Sequence, residues 1–131
     1  MNQSLAHIAL VVNDYDEAIK FYTETLHFTL LEDKVMSPEK RWVMVAPPGS
    51  KGTSILLAKA SNEEQKSRVG NQTGGRVFLF LYTDNIKRDY QNLKDKKVTV
   101  VRELETQPHG KVLVFADLYG NLWDLIEPNL D

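Results

Sequence analysis

One pattern recurs along the chain at a fixed spacing. Asn13-Asp14 opens a helical segment, and Asp84-Asn85 opens another 71 residues later. Phe28-Thr29-Leu30-Leu31, after the first helix, matches Thr99-Val100-Val101-Arg102 at the same offset. Each half follows one plan of strand, helix and three strands. Repetition of this kind constrains a fold more tightly than composition does, because both halves must solve the same packing problem. The expected fold class is α+β. Two tandem βαβββ modules, about residues 4–60 and 75–128, form a curved mixed sheet that encloses a cup. A polar linker at about residues 61–74 joins them within a single domain of 131 residues.

The local signals support this order. His7-Ile8-Ala9-Leu10-Val11-Val12 is rich in β-branched residues and reads as a strand. Asp14 can cap the helix that follows, with Glu17 as its capping-box partner. Tyr15, Ala18, Ile19, Tyr22 and Leu26 fall at helical spacing and form its buried stripe. Strands are expected over 28–32, 41–46 and 53–59. In the second half, strands are expected over 76–82, 98–102, 111–116 and 122–127. There Asp84 caps a helix that buries Ile86, Tyr90 and Leu93. The linker, with Asn62-Glu63-Glu64-Gln65 and several glycines, is too polar for a core and reads as a short helix or a loop.

Composition narrows the function classes. The chain is 42% apolar and 26% charged, with a net charge of -2, so neither nucleic acid nor a basic membrane-surface patch is indicated. The absence of cysteine removes disulfides, thiolate catalysis and cysteine metal sites. No apolar run reaches the roughly 20 residues of a membrane span, and no signal peptide is evident. The expected location is the cytoplasm.

The stretch Phe115-Ala116-Asp117-Leu118-Tyr119-Gly120-Asn121-Leu122-Trp123-Asp124-Leu125-Ile126-Glu127-Pro128 reads strand, turn, strand. Gly120-Asn121 tolerates positive φ, as a short turn requires. In the last strand Leu122, Asp124 and Ile126 share one face, and Trp123 and Leu125 the other. An acid between two large aliphatics needs a partner, a metal or a ligand, unless it lies at a half-exposed edge.

HIALVVNDYDEAIKFYTETLHF resembles the opening module of the vicinal oxygen chelate superfamily, and FADLYGNLWDLIEP resembles its closing module. That superfamily includes glyoxalase I, extradiol dioxygenases, and the fosfomycin- and bleomycin-resistance proteins. The resemblance implies four inward positions at which its metal enzymes place ligands. They fall here on His7, Leu56, Phe78 and Asp124. The first and third are 71 apart, the second and fourth 68. Leu56 and Phe78 cannot coordinate a metal, so only His7 and Asp124 remain of the set. His27 and His109 match no ligand position and read as surface residues.

Alternation in the fifth strand puts Arg76, Phe78, Phe80 and Tyr82 on one face. If that face is inward, the cup is apolar and aromatic with a few polar groups, the make-up of a small-molecule pocket. The rival reading is a packed inner face. Trp42 lines the cup wall or belongs to the core, and parity alone does not choose. Gln72 and Arg76 flank Thr73-Gly74-Gly75, whose amides could meet an anion.

The reading that follows is a small-molecule-binding protein similar to the bleomycin-resistance branch. Its ligand-binding residues are Trp42, Arg76, Phe78, Phe80 and Tyr82. No cofactor is expected tightly bound, though His7 and Asp124 leave room for a weakly held divalent metal. The resemblance also implies a homodimer. The alternative is an enzyme: a glyoxalase-like lyase or isomerase, or a dioxygenase-like enzyme. It would use His7 and Asp124 as a partial metal set or as a catalytic acid–base pair. A structural or partner-binding module is a third reading, for which the sequence offers no positive sign.

Overall fold

The computed structural model describes residues 1–130. Two compact units divide at Val69/Gly70, inside the polar linker. The first contains β1 (His7–Val12), α1 (Tyr15–Lys20), β2 (Thr29–Val35), β3 (Arg41–Ala46), β4 (Ser54–Lys59) and α2 (Glu63–Arg68). The second contains β5 (Val77–Tyr82), α3 (Ile86–Asp95), β6 (Val100–Gln107), β7 (Gly110–Ala116) and β8 (Leu122–Pro128). Each holds one four-stranded mixed sheet, ordered β1-β4-β3-β2 and β5-β8-β7-β6. In both, the first strand pairs parallel with the last, and the other pairings are antiparallel. The repeat seen in the sequence is therefore a repeat of topology, and the α+β fold of two tandem βαβββ modules holds.

In the first module Leu10, Val12, Val43, Val45 and Leu57 are fully buried, together with Ala18 and Tyr22 of the helical segment. In β1 and β4 the buried positions Leu10, Val12, Ile55 and Leu57 alternate with more exposed ones, which gives the sheet one face under its helix and one open face. Full burial of such side chains stabilises by about 1.5–3 kcal/mol each. In the second module Leu113, Phe115, Trp123 and Leu125 form the matching layer with Ile86 and Leu93 of α3. Phe115 and Trp123 stack with ring centroids 6.1 Å apart and planes 4° from parallel.

The helices begin as their sequences require, with two differences. Asp14 is the N-cap of α1, and its carboxylate accepts from the Glu17 backbone N–H at 2.9 Å. In the second module the cap is Asn85 and not Asp84: Asn85 accepts from the Arg88 N–H at 3.0 Å. Asp84 instead pairs with the Arg88 guanidinium at 2.9 Å. Reaching the third helical N–H takes the residue three positions back, which is 85. The second difference is in α1, whose expected stripe runs past its end. The helix stops at Lys20 and widens into a π-turn over Phe21–Thr25. The Thr23 hydroxyl donates to the Ile19 carbonyl at 2.7 Å, competing with the backbone for that acceptor.

The outer strands β2 and β6 run further than their apolar pattern suggests. β2 is exposed along its whole length and carries a bulge between Leu30 and Glu32. Its far end is fixed by Arg41, whose guanidinium bridges Asp33 (2.7 Å) and Asp16 of α1 (2.9 Å) and lies over the Tyr15 ring. The linker forms α2, capped by Asn62, which accepts from the Gln65 N–H at 2.8 Å.

Candidate functional site

The open face of the first module is set by the β1–β4 register. His7 lies opposite Ser54, Ala9 opposite Leu56, and Val11 opposite Ala58. Met44 of β3 pairs with Leu56, so Met44 and, by alternation, Trp42 share this face. Trp42 meets the His7 ring edge-on, with centroids 6.1 Å apart and planes at 79°. His7 Nδ1 lies 3.0 Å from Ser54 Oγ. Parity alone left Trp42 undecided between wall and core; here it is a half-buried wall residue beside His7.

In the second module Asp124 lies between Phe80 of β5 and Val114 of β7, and Ile126 between Tyr82 and Val112. Phe80 and Tyr82 are 66% and 73% exposed, high values for aromatic side chains. A bulge between Val77 and Leu79 interrupts the alternation of β5, so parity carries back from Tyr82 to Phe80 and no further. Phe78 sits at the bulge, half-buried, and Arg76 is exposed just ahead of the strand. Of the five residues expected to bind ligand, register thus groups Phe80 and Tyr82 with Asp124, while Trp42 sits beside His7.

A concavity of about 190 Å³ opens on the same module, lined among others by Arg102, Glu105, His109, Val112, Val114 and Asp124. Asp124 Oδ1 is closed off from solvent and has no hydrogen-bond partner among the described residues. Burial pushes its carboxyl above the ordinary value, while the charges of His109 and Arg102 pull it part of the way back. His109 is exposed in the β6–β7 turn, as its sequence position suggests, but that turn also places it near Asp124.

Two functional contributors were not visible in the sequence. Ser54 meets His7 through a register that only the folded pair defines. Asp117 organises the closing turn: its carboxylate accepts from the backbone N–H groups of Tyr119, Gly120 and Asn121 at 2.9–3.0 Å and from the Asn121 side chain at 2.9 Å. Gly120 takes φ of +104° there, the one positive φ the turn needs. The turn delivers β8, and hence Asp124, in register. The acid-x-x-Gly spacing ahead of β8 is the signal that could have found it.

The model of the Glyoxalase/Bleomycin resistance protein/Dioxygenase superfamily matches residues 4–125. The chain belongs to this superfamily. It is 57% identical over 130 residues to an uncharacterized protein of Shewanella frigidimarina, covering 98% of this chain and 96% of that one. Among solved structures it is similar to UcmS2, with a TM-score of 0.85, 30% identity, and 97% and 99% of the two chains covered. It is also similar to TnmS3, an antibiotic-binding protein from Streptomyces sp. CB03234, with a TM-score of 0.78, 29% identity and 98% of each chain covered.

The superfamily's metal positions can be located here by strand pairing. Ala9↔Leu56 in the first module and Phe80↔Asp124 in the second are matching parallel pairs, offset by 71 and 68 residues. Leu56 therefore stands where Asp124 stands. The bulge shifts the other pair: Leu122 pairs with Val77 where Ser54 pairs with His7. Neither Val77 nor the adjoining Phe78 offers a donor atom. Among the described residues, no set of three or more His, Asp or Glu side chains is gathered to hold a metal ion. The residues present do not fit the metal centre of the superfamily's metal enzymes.

Proposed function

We propose that the protein binds a small, largely apolar aromatic molecule on the open faces of its modules and holds it without chemical conversion. The observation that carries this reading is the second module's open face. There two solvent-exposed aromatic rings, Phe80 and Tyr82, flank Asp124, a half-buried carboxylate whose Oδ1 has no partner among the described residues. Exposed aromatics cost free energy in water, and a desolvated carboxylate costs more. A ligand that covers the rings relieves the first cost, and a donor on it can pair with the half-buried Asp124. The open face of the first module carries Trp42 beside His7. That TnmS3 is an antibiotic-binding protein supports a small-molecule ligand. We further propose that the protein works as a homodimer and carries no tightly bound metal. A lyase or dioxygenase would need donors at Leu56 and at the start of β5, where there are none.

The test is a titration of Trp42 and Trp123 fluorescence with a panel of polycyclic aromatic compounds, alongside elemental analysis of protein purified without a metal-binding tag. The expected result is saturable quenching that Trp42→Phe reduces and Phe80→Ala weakens, with well under one divalent metal per chain. Zinc, nickel or iron in stoichiometric amount after dialysis against chelator would return the enzymatic alternative.

A further inference from the structure

The first module's histidine is held by one specific partner. His7 Nδ1 lies 3.0 Å from Ser54 Oγ, and the same oxygen lies 3.3 Å from the Ala6 carbonyl. Ser54 is 5% exposed, so its hydroxyl finds its partners within the protein. A serine hydroxyl carries one hydrogen and can accept through its lone pairs. Both contacts are hydrogen bonds only if the hydroxyl donates to Ala6 and accepts from a proton on Nδ1. The opposite arrangement donates to Nδ1 and leaves the Ala6 contact without a hydrogen. Two satisfied bonds at a buried oxygen outweigh one.

Resting on the binding reading above, we infer that Ser54 is a positioning residue that holds neutral His7 in its Nδ1–H tautomer. Nε2 is then presented beside Trp42 as a hydrogen-bond acceptor, and the bound aromatic carries a hydroxyl or amine N–H donor. Among the described residues the ring's hydrogen bond is the one at Nδ1, and His7 is exposed on the open face. The second module sets a half-buried acid, Asp124, beside its own aromatic residues. Two acceptors next to aromatic walls select donors, and an aromatic ether or a quinone lacking O–H and N–H groups leaves them unpaired.

Two measurements test this on the full chain. The first is long-range ¹H–¹⁵N correlation of the His7 ring at pH 8.5. The wild type is expected to show a protonated Nδ1 and a bare Nε2. Ser54→Ala should release the ring to the mixture of tautomers seen in free imidazole, and Ser54→Thr, which keeps the hydroxyl, should restore the wild-type pattern. A wild-type ring protonated on Nε2, or one indifferent to Ser54→Ala, overturns the assignment.

The second compares 1-naphthol with 1-methoxynaphthalene, which differ in the donor hydrogen. The naphthol should bind about three- to tenfold more tightly to the wild type, and Ser54→Ala should narrow that ratio. Equal binding of the two overturns the donor requirement and leaves aromatic binding standing. Failure of both to bind counts against the binding reading itself, and the tautomer spectrum still decides the role of Ser54.

Discussion

In the first module the β1–β4 pair sets Ala9 against Leu56, while in the second the matching β5–β8 pair sets Phe80 against Asp124. One layer deeper the contrast recurs. Val45 pairs with Ile55 beneath the first helix, and Phe115 with Trp123 beneath the second. At these matched pairs the first sheet is aliphatic at both levels, and elsewhere its open face carries Trp42 and His7, the latter tied to Ser54. The second is aromatic at both levels and leaves its acid untied. Shared topology has therefore not imposed shared chemistry. The backbone plan survives because caps, strand order and buried-face polarity are kept, and those demands leave the open-face residues unconstrained.

The largest expected effect separates the two buried layers. Trp123 is 2% exposed and stacked on Phe115, so Trp123→Ala removes an indole and leaves a cavity that a sheet under a helix cannot close. The expected loss is about 3–5 kcal/mol. Ile55→Ala, at the matching position of the aliphatic layer, should cost about 2–3 kcal/mol. Urea unfolding followed by circular dichroism measures both. A reversed order would show that the aromatic stack is not what the second module's stability rests on.

The open-face difference gives the next effect, of opposite sign. Asp124→Leu writes the first module's residue into the second. It removes a carboxylate whose burial outweighs the attraction of His109 and Arg102, and it should raise stability by about 1 kcal/mol at neutral pH. The same substitution should weaken binding of any donor-bearing aromatic. Asp124→Asn supplies the pH arm. A carboxyl whose folded pKa lies above its ordinary 3.8 binds protons more tightly in the folded state. Its penalty on stability is then full above the folded pKa and vanishes below the unfolded one. The advantage of Asp124→Asn over wild type should therefore shrink as pH falls through that window. An advantage independent of pH would place its origin in packing and not in charge.

Much of this architecture was legible in the sequence, and the reasons are local. The offset of 71 is carried by caps and turns, which depend on one or two residues each, and it places Asp14 and Asn85 in equivalent structural roles. The apolar runs of β1, β3 and β8 reveal themselves because each carries core positions, and β5 does so by its unbroken run of aliphatic and aromatic residues. β2 and β6 were cut short because they are outer strands, where polar residues such as Glu32, Glu103 and Glu105 satisfy both faces. At the site, alternation assigned Asp124 and Phe80 their shared face but failed at Phe78, where a bulge adds one residue to β5. Ser54 was out of reach because its role depends on a parallel pairing between strands 47 residues apart. Pairing of that kind is a property of the fold and leaves no mark on either segment.

The smallest expected effect concerns the feature the modules share most closely, their helix caps. Asp14 and Asn85 each accept from the N–H three residues on, at 2.9 and 3.0 Å. Replacing either by Ala leaves that N–H to water and should cost about 1 kcal/mol. The chemistry nonetheless differs in one respect. Asp14 brings a negative charge to the positive end of α1, whereas Asn85 caps α3 as a neutral amide. The charge contribution is screened by salt, and the geometric one is not. Urea unfolding at low and at high ionic strength should therefore find the Asp14→Ala loss reduced by salt and the Asn85→Ala loss unchanged. Equal salt sensitivity would mean that the two caps act through geometry alone. A negligible loss at either site would show that the helix it starts is held by its buried face, Tyr15 and Ala18 in one module or Ile86 and Leu93 in the other, without help from its cap.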